Sequence, residues 1–234
     1  FFPFTEGFKY AELNDAEGLL EALTPDVCAI FVEPIQGEGG VLPLQQEFVD
    51  EIFKLCAEKD VLTIADEVQT GAGRTGTLLA GENFGYRANI STMAKGIAGG
   101  VPIGICLADE KCANVLEKGT HGSTFGGNPI CCAGGLAVLD YIEDNDLLKQ
   151  VKEKGEYLKE KLLQLDEVVS VDGMGLMLGI TLKTKAAADV VKAGVEKGLL
   201  LLTAKQKLRL LPPLTITYDE IDKGLEILKQ IFAE

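Results

Sequence analysis

The sequence predicts an α/β fold, a mostly parallel sheet followed by a smaller α+β unit, and three patterns carry that prediction. Its early strands are short unbroken apolar runs, as suits strands covered on both faces of a parallel sheet. Strand, helix and strand follow one another within residues 27–66, which makes a βαβ unit with a right-handed crossover. Beyond residue 145 the pattern changes to amphipathic helices separated by short strands.

Taken in order, Val27-Cys28-Ala29-Ile30-Phe31-Val32, closed by Glu33-Pro34, is the first strand. Residues 43–60 carry Phe48, Val49, Ile52, Leu55 and Cys56 at helical spacing, and Val61-Leu62-Thr63-Ile64-Ala65 is the next strand, ending in Asp66-Glu67. A third strand over 89–93 leads into Lys95, and a fourth over 103–108 leads into a helix predicted over 109–118. Polar residues stand where these strands stop, which is where ligands bind in open α/β sheets. Asn128-Pro129 has the N-cap and first-turn signature of a helix that runs on through Ala137, Val138, Tyr141 and Ile142. The cluster Glu143-Asp144-Asn145-Asp146 interrupts it, and its acids suit the start of the following helix. We place a domain boundary there, between 1–144 and 145–234. The second unit then reads as a helix with Leu147, Val151, Leu158, Leu162 and Leu165 on one face and strands at 168–171 and 176–182. A helix over 186–197, apolar runs at 199–202 and 208–211, and a last amphipathic helix over 218–232 follow.

Composition narrows the function. The 234 residues, 47% hydrophobic and 25% charged, are enough to bury a sizeable core without disulfides or metal. A formal net charge of −14 with no basic cluster argues against nucleic acid and against anionic membrane as partners. No apolar run approaches the ~20 residues of a membrane span. Cys28, Cys56, Cys106, Cys112, Cys131 and Cys132 form no Cys-x-x-Cys pair and read as small buried hydrophobes of a reducing compartment, so a cytoplasmic location is expected. With His121 the single histidine, no metal site is expected.

Two strand ends hold the residues that suggest chemistry. Asp66 closes an apolar strand, where an ionised carboxylate calls for a positive partner such as a pyridinium nitrogen; alone, it also reads as an acid starting a loop. Lys95 follows the apolar segment 90–94 and precedes Gly96-Ile97-Ala98-Gly99-Gly100. A lysine kept from water supplies the neutral amine that a Schiff base needs, although a surface lysine covering apolar neighbours fits the same pattern. Together the two match an electron-sink cofactor, which needs an acid at its ring nitrogen and an amine at its aldehyde. The run His121-Gly122-Ser123-Thr124-Phe125-Gly126-Gly127-Asn128-Pro129 offers hydroxyls and a helix N-terminus to a phosphate, or is an ordinary glycine-rich turn. Gly37-Glu38-Gly39-Gly40 and Gly71-Ala72-Gly73-Arg74-Thr75-Gly76 lack P-loop and dinucleotide spacing, so nucleotide binding through them is rejected.

On these residues the chain resembles the class III pyridoxal-phosphate aminotransferases of fold type I, nearest to the acetylornithine and succinylornithine branch. The resemblance is carried by Val32-Glu33-Pro34-Ile35-Gln36-Gly37-Glu38-Gly39-Gly40-Val41, by Ile64-Ala65-Asp66-Glu67-Val68-Gln69-Thr70-Gly71 with Gly73-Arg74-Thr75-Gly76, and by Met93-Ala94-Lys95-Gly96. The run 121–129 and Arg209-Leu210-Leu211-Pro212-Pro213-Leu214 complete it. It implies that Lys95 holds pyridoxal phosphate as a Schiff base and acts as general acid/base, that Asp66 keeps the ring nitrogen protonated, and that Gln69 hydrogen-bonds the ring oxygen. Ser123 and Thr124 are expected to bind the phosphate across a homodimer interface. Arg209 is expected to take a substrate carboxylate, with Glu38 masking it when the other amino substrate is bound, and Glu33 to support the site from behind. The substrates implied are small amino and keto acids: N-acetylornithine and 2-oxoglutarate, in arginine biosynthesis.

Two local departures from the family pattern stand out. Ala88-Asn89 replaces a usual Pro-Asp, and Asp172 stands where an arginine is common, which puts local ion pairs in doubt. The chain also begins at Phe1-Phe2-Pro3-Phe4, and the expectation is that a family N-terminal portion, carrying a phosphate loop, a ring-stacking aromatic residue and a substrate arginine, is absent. Ornithine or 4-aminobutyrate transamination, an aminomutase, and an inert C-terminal fragment remain as alternatives.

Overall fold

The computed structural model describes residues 2–234. After a short helix α1 (Ala16–Ala22), strand β1 (Ala29–Val32) leads into a small hairpin of β2 (Ile35–Gln36) and β3 (Leu42–Pro43). Helix α2 (Gln46–Lys59) buries Phe48, Val49, Ile52, Leu55 and Cys56, the stripe its spacing requires, and ends with Asp60 in a left-handed conformation at φ 57°. Strands β4 (Leu62–Asp66), β5 (Ile90–Met93) and β6 (Ile105–Ala108) complete a sheet of order β1-β4-β5-β6. The first two pairings are parallel and β5–β6 is antiparallel.

Burial on this sheet differs from the expectation. Phe31 in β1 is 56% exposed, and its register partners Ile64 and Ile90 are only half-buried. Helix α2 packs on the other face, against Ile30, so the unbroken apolar runs belong to strands covered on one side in this chain. The cysteines follow suit: Cys56 and Cys131 are buried, Cys112 and Cys132 half-buried, and Cys28 and Cys106 exposed, so burial is not their common property. The helix predicted over 109–118 is a series of turns. Its apolar Val115 and Leu116 are 71% and 64% exposed, and a short segment with no surface to bury its apolar side gains too little to repay helix nucleation.

Helix α3 (Pro129–Asp144) starts as expected, with Asn128 Oδ1 accepting from the Cys131 amide at 3.0 Å and Pro129 in the first turn. Helix α4 (Leu147–Leu162) buries Leu147, Val151, Leu158 and Leu162; Asp146 before it is left-handed and makes no side-chain cap. The C-terminal sheet, β7 (Val168–Met174), β8 (Met177–Leu182), β9 (Leu202–Ala204) and β10 (Lys207–Leu210), has the order β7-β8-β10-β9 and is antiparallel throughout. Helix α5 (Ala187–Glu196) and α6 (Tyr218–Ala233) flank it, α6 held at its start by a reciprocal Thr217–Glu220 capping box. Leu176, Leu178, Ile180 and Leu208 form the centre of this second core with Val151, Leu162 and Ile231.

Both local departures are accommodated. Asn89 accepts from the Thr63 amide at 2.9 Å and donates to Asp109 at 2.6 Å, joining three strands in a way an aspartate could not, because it has no donor. Asp172 pairs with Lys207 at 2.7 Å.

Candidate active site

The carboxyl ends of two neighbouring parallel strands frame the site. Asp66 ends β4 opposite Thr92 of β5, and the Glu67 amide donates to the Thr92 carbonyl at 2.9 Å. Asp66 Oδ1 accepts from the Val68 amide at 2.9 Å; Oδ2 has no protein donor among the described residues. By strand alternation Asp66 shares the open face of the sheet with Ile64.

Three residues beyond Thr92, Lys95 opens a 3-10 turn (Lys95–Ala98) at φ 53°. This left-handed conformation is costly for a residue with a Cβ and marks functional positions often enough to draw notice. The side chain is exposed rather than withdrawn from water, which corrects the sequence-based picture, and it has no ion-pair partner among the described residues. A cleft of about 740 Å³ opens beside it, with Gln69, Arg74, Tyr141, Leu211 and Pro213 also in its wall.

The hairpin loop after β2 closes in from the other side. A Cβ on Gly37 would lie 2.6 Å from the Gln69 amide, so glycine is what allows this approach. Glu33 Oε2 accepts from the Gly37 amide at 3.1 Å. Burial raises the Glu33 carboxyl above its ordinary value, the Gly37 bond partly offsets this, and the charges of Asp66 and Lys95 both act on it. Glu33, Asp66 and Lys95 therefore share one electrostatic neighbourhood.

Arg209 of β10 is 7% exposed and donates through Nη1 to Glu38 Oε1 at 2.8 Å. Its Nε is buried with no hydrogen-bond partner. The Arg209 bond is the main reason the Glu38 carboxyl sits below its ordinary value, with burial opposing and the charges of Arg209 and Lys95 assisting. Glu38 itself is largely solvated, with 74% of its side chain exposed, so the cost of its leaving falls on the buried Arg209, which then needs another carboxylate. Gly179 pairs with Arg209 across the sheet, and a Cβ there would meet Val41 at 2.6 Å; its absence lets the Glu38 hairpin rest on β8.

Ser123 and Thr124 are not brought to this cleft. Both are exposed on the loop before α3, Ser123 Oγ accepting from the Gly126 amide at 3.0 Å, and His121 is exposed beside them. Two residues that sequence reasoning passed over are engaged here. Glu67, 2% exposed, accepts from Thr70 and from the Ala80 and Gly81 amides, both at 2.9 Å. Arg74 donates from Nη1 to the Leu176 and Pro212 carbonyls. An arginine inside a glycine-rich run without P-loop spacing was the available signal for the second; for Glu67 the signal was strand alternation, which puts it on the face opposite Asp66.

These residues suit pyridoxal phosphate. A lysine without a counter-ion and a side-chain amide line a cleft large enough for a small cofactor, and an aspartate with a free oxygen ends the strand that leads to it. The fold is that of the pyridoxal-phosphate transferases of fold type I.

The comparisons with known proteins agree. The description "Aminotransferase class-III" matches residues 4–232, and the chain belongs to that family. Acetylornithine aminotransferases of Haemophilus ducreyi and Aquifex aeolicus are 45% and 46% identical over 100% and 99% of the chain. The chain spans 60% and 61% of their lengths. Ornithine aminotransferase from Toxoplasma gondii superposes with a TM-score of 0.91 at 36% identity, over 100% of this chain and 57% of that one. N-acetylornithine aminotransferase from Stenotrophomonas maltophilia gives 0.89 at 34%, over 98% and 63%. Class III aminotransferases depend on pyridoxal phosphate. Among the described residues no helix is long and apolar enough to cross a membrane, and no acidic, His or Cys cluster could hold a metal.

Proposed function

We propose that the protein transfers an amino group between N-acetylornithine and 2-oxoglutarate, a step of arginine biosynthesis, as part of a cytoplasmic homodimer. Asp66 and Lys95 at adjacent parallel strand ends carry the reading. Bound pyridoxal phosphate would supply an aldehyde that takes up amino groups and a ring that accepts negative charge. Lys95 holds the cofactor covalently and then moves the proton at the substrate carbon. Asp66 keeps a proton on the ring nitrogen by its charge, Gln69 donates to the ring oxygen, and Glu33 supports both from behind. Arg209 takes the second carboxylate of the keto acid, in a bidentate pair once Glu38 swings into solvent. With the acetylated amine bound, Glu38 returns and neutralises Arg209, so one pocket serves two side chains.

Ser123 and Thr124 bind the phosphate of the neighbouring subunit. Their exposure, and that of Phe125, Ile130 and Leu136 nearby (79%, 76% and 62%), supports an interface there. We divide the chain into part of a large cofactor-binding domain, 1–144, and a small domain, 145–234, each with its own sheet. The test is spectroscopic and kinetic. Pyridoxal phosphate added to the protein should give the near-visible band of a lysine-linked cofactor that Lys95→Ala abolishes, and N-acetylornithine should be the preferred donor. An unchanged band in Lys95→Ala would sink the assignment of the lysine. The Toxoplasma gondii neighbour favours a second reading, ornithine as donor, and a clear preference for free ornithine would select it.

A further inference from the structure

Arg74 is a cation held by carbonyl groups. It projects from the loop that follows β4, where Ala72 and Gly73 have φ of 54° and 88°, and lines the same cleft as Gln69 and Lys95. Among the described residues no carboxylate pairs with it. Its Nη1 donates at 3.0 Å to the carbonyl of Leu176 and at 2.6 Å to that of Pro212. Burial lowers its ionisation to about 10, so it remains charged at neutral pH. Hydrogen bonds from a charged donor are roughly twice as strong as neutral ones.

The two carbonyls bracket one segment of the small sheet. Leu176 immediately precedes β8, and Pro212 lies two residues beyond the end of β10. Between them Arg209 pairs with Gly179 and Leu210 with Leu178. The clamp also has a backbone part, because the Leu176 amide donates to the Arg74 carbonyl at 3.0 Å. Gly175 comes so close that a Cβ on it would lie 2.7 Å from the Thr75 carbonyl carbon. The glycine-rich loop is therefore seated against the turn before β8 by main chain, and the Arg74 side chain adds the tie to the exit of β10.

We propose that Arg74 is a positioning residue for substrate selection: by gripping the chain before β8 and after β10 it sets the distance of the Arg209 guanidinium from the Lys95 cleft. This rests on reading Arg209 as the site of the second carboxylate. Arg74 touches no substrate; its effect passes through Arg209. A carboxylate bound by two parallel hydrogen bonds tolerates little displacement, whereas a substrate that never meets Arg209 is indifferent to it.

The test compares keto acids on the pyridoxal-phosphate-loaded protein. Arg74→Met removes both side-chain bonds while leaving the Leu176–Arg74 backbone bond, and Arg74→Lys keeps the charge and one donor. With the same amino donor, Arg74→Met should raise KM for 2-oxoglutarate roughly tenfold or more, leave KM for pyruvate, which has no second carboxylate, within about twofold, and preserve the cofactor band. Arg74→Lys should fall between. Equal rises for both keto acids, or no rise for either, would overturn the proposal. Amide hydrogen exchange supplies an arm independent of turnover: Leu210 and Leu211 should exchange faster in Arg74→Met, and unchanged exchange there would also overturn it. A wild-type protein that transaminates neither acid, with exchange still accelerated in the variant, would defeat the reading of Arg209 and leave the clamp standing.

Discussion

Gly155→Ala sets two effects of known sign against each other. Gly155 lies inside α4, where alanine favours the helix by about 1 kcal/mol. The added Cβ, however, would lie 2.3 Å from the Gly175 carbonyl oxygen, 2.7 Å from its carbon and 2.8 Å from its Cα. All three are main-chain atoms, so no side chain can rotate away. Restoring a C···O separation of about 3.3 Å moves the helix or the β7–β8 turn by about 1 Å, which puts the overpacking cost near 3 kcal/mol. The net is a destabilisation of about 2 kcal/mol, or a midpoint lowered by about 4–8 °C for a chain of this size. Gly224→Ala is the internal control, because it lies inside α6 and its Cβ would meet only Leu199 Cδ1, at 3.6 Å. That variant should gain up to about 1 kcal/mol. Thermal and urea denaturation of the two side by side would decide the matter. A Gly155→Ala protein as stable as Gly224→Ala would refute the claim that α4 rests on the turn through a missing side chain.

Other expectations concern the acids. Glu38→Gln should lower stability at neutral pH by no more than about 1 kcal/mol, since the Glu38 side is solvated. The folded Glu38 carboxyl lies below the ordinary 4.5, so its contribution is fully present above 4.5 and fades as pH falls through the lowered value. Urea midpoints of wild type and variant should therefore converge in acid, and a gap that widened there would contradict the ion-pair account. Glu67→Gln turns an amide NH₂ toward donors that now meet a carboxylate, and should cost about 1.5–3 kcal/mol in the same assay. An unshifted midpoint would show that the 3-10 turn (Ala80–Phe84) does not depend on it.

Where local chemistry sufficed, the elements could be read in advance. The stripe of α2, the Asn128-Pro129 start of α3 and the periodicity of α6 depend on residues a few positions apart, and each element forms within a few residues of its expected bounds. Strand direction is another matter: β6 runs antiparallel to β5, and no pattern within residues 103–108 encodes that. Covering also depends on distant chain. The runs through Phe31 and Leu107 have the composition of two-sided strands, yet these residues are 56% and 44% exposed. The same holds at the site. Asp66 and Lys95 stand out because strand ends and glycines announce them, and Gln69, Arg209 and Glu38 through the family resemblance. Arg74 and Glu67 act through carbonyls and amides that only the folded backbone brings within reach.

The dipeptide Asp66-Glu67 gives two like-charged neighbours opposite fates. Strand alternation sends the first to the open face and the second into the interior beside Ala65, where three donors hold it. An engineer shortening or lengthening β4 by a single residue would exchange them, leaving the anchored acid on the open face and the half-buried one stranded among donors arranged for the other. Parity, more than identity, is the constraint on this strand: changes of side chain at Leu62 or Ile64 are open to redesign, whereas a change of length is not.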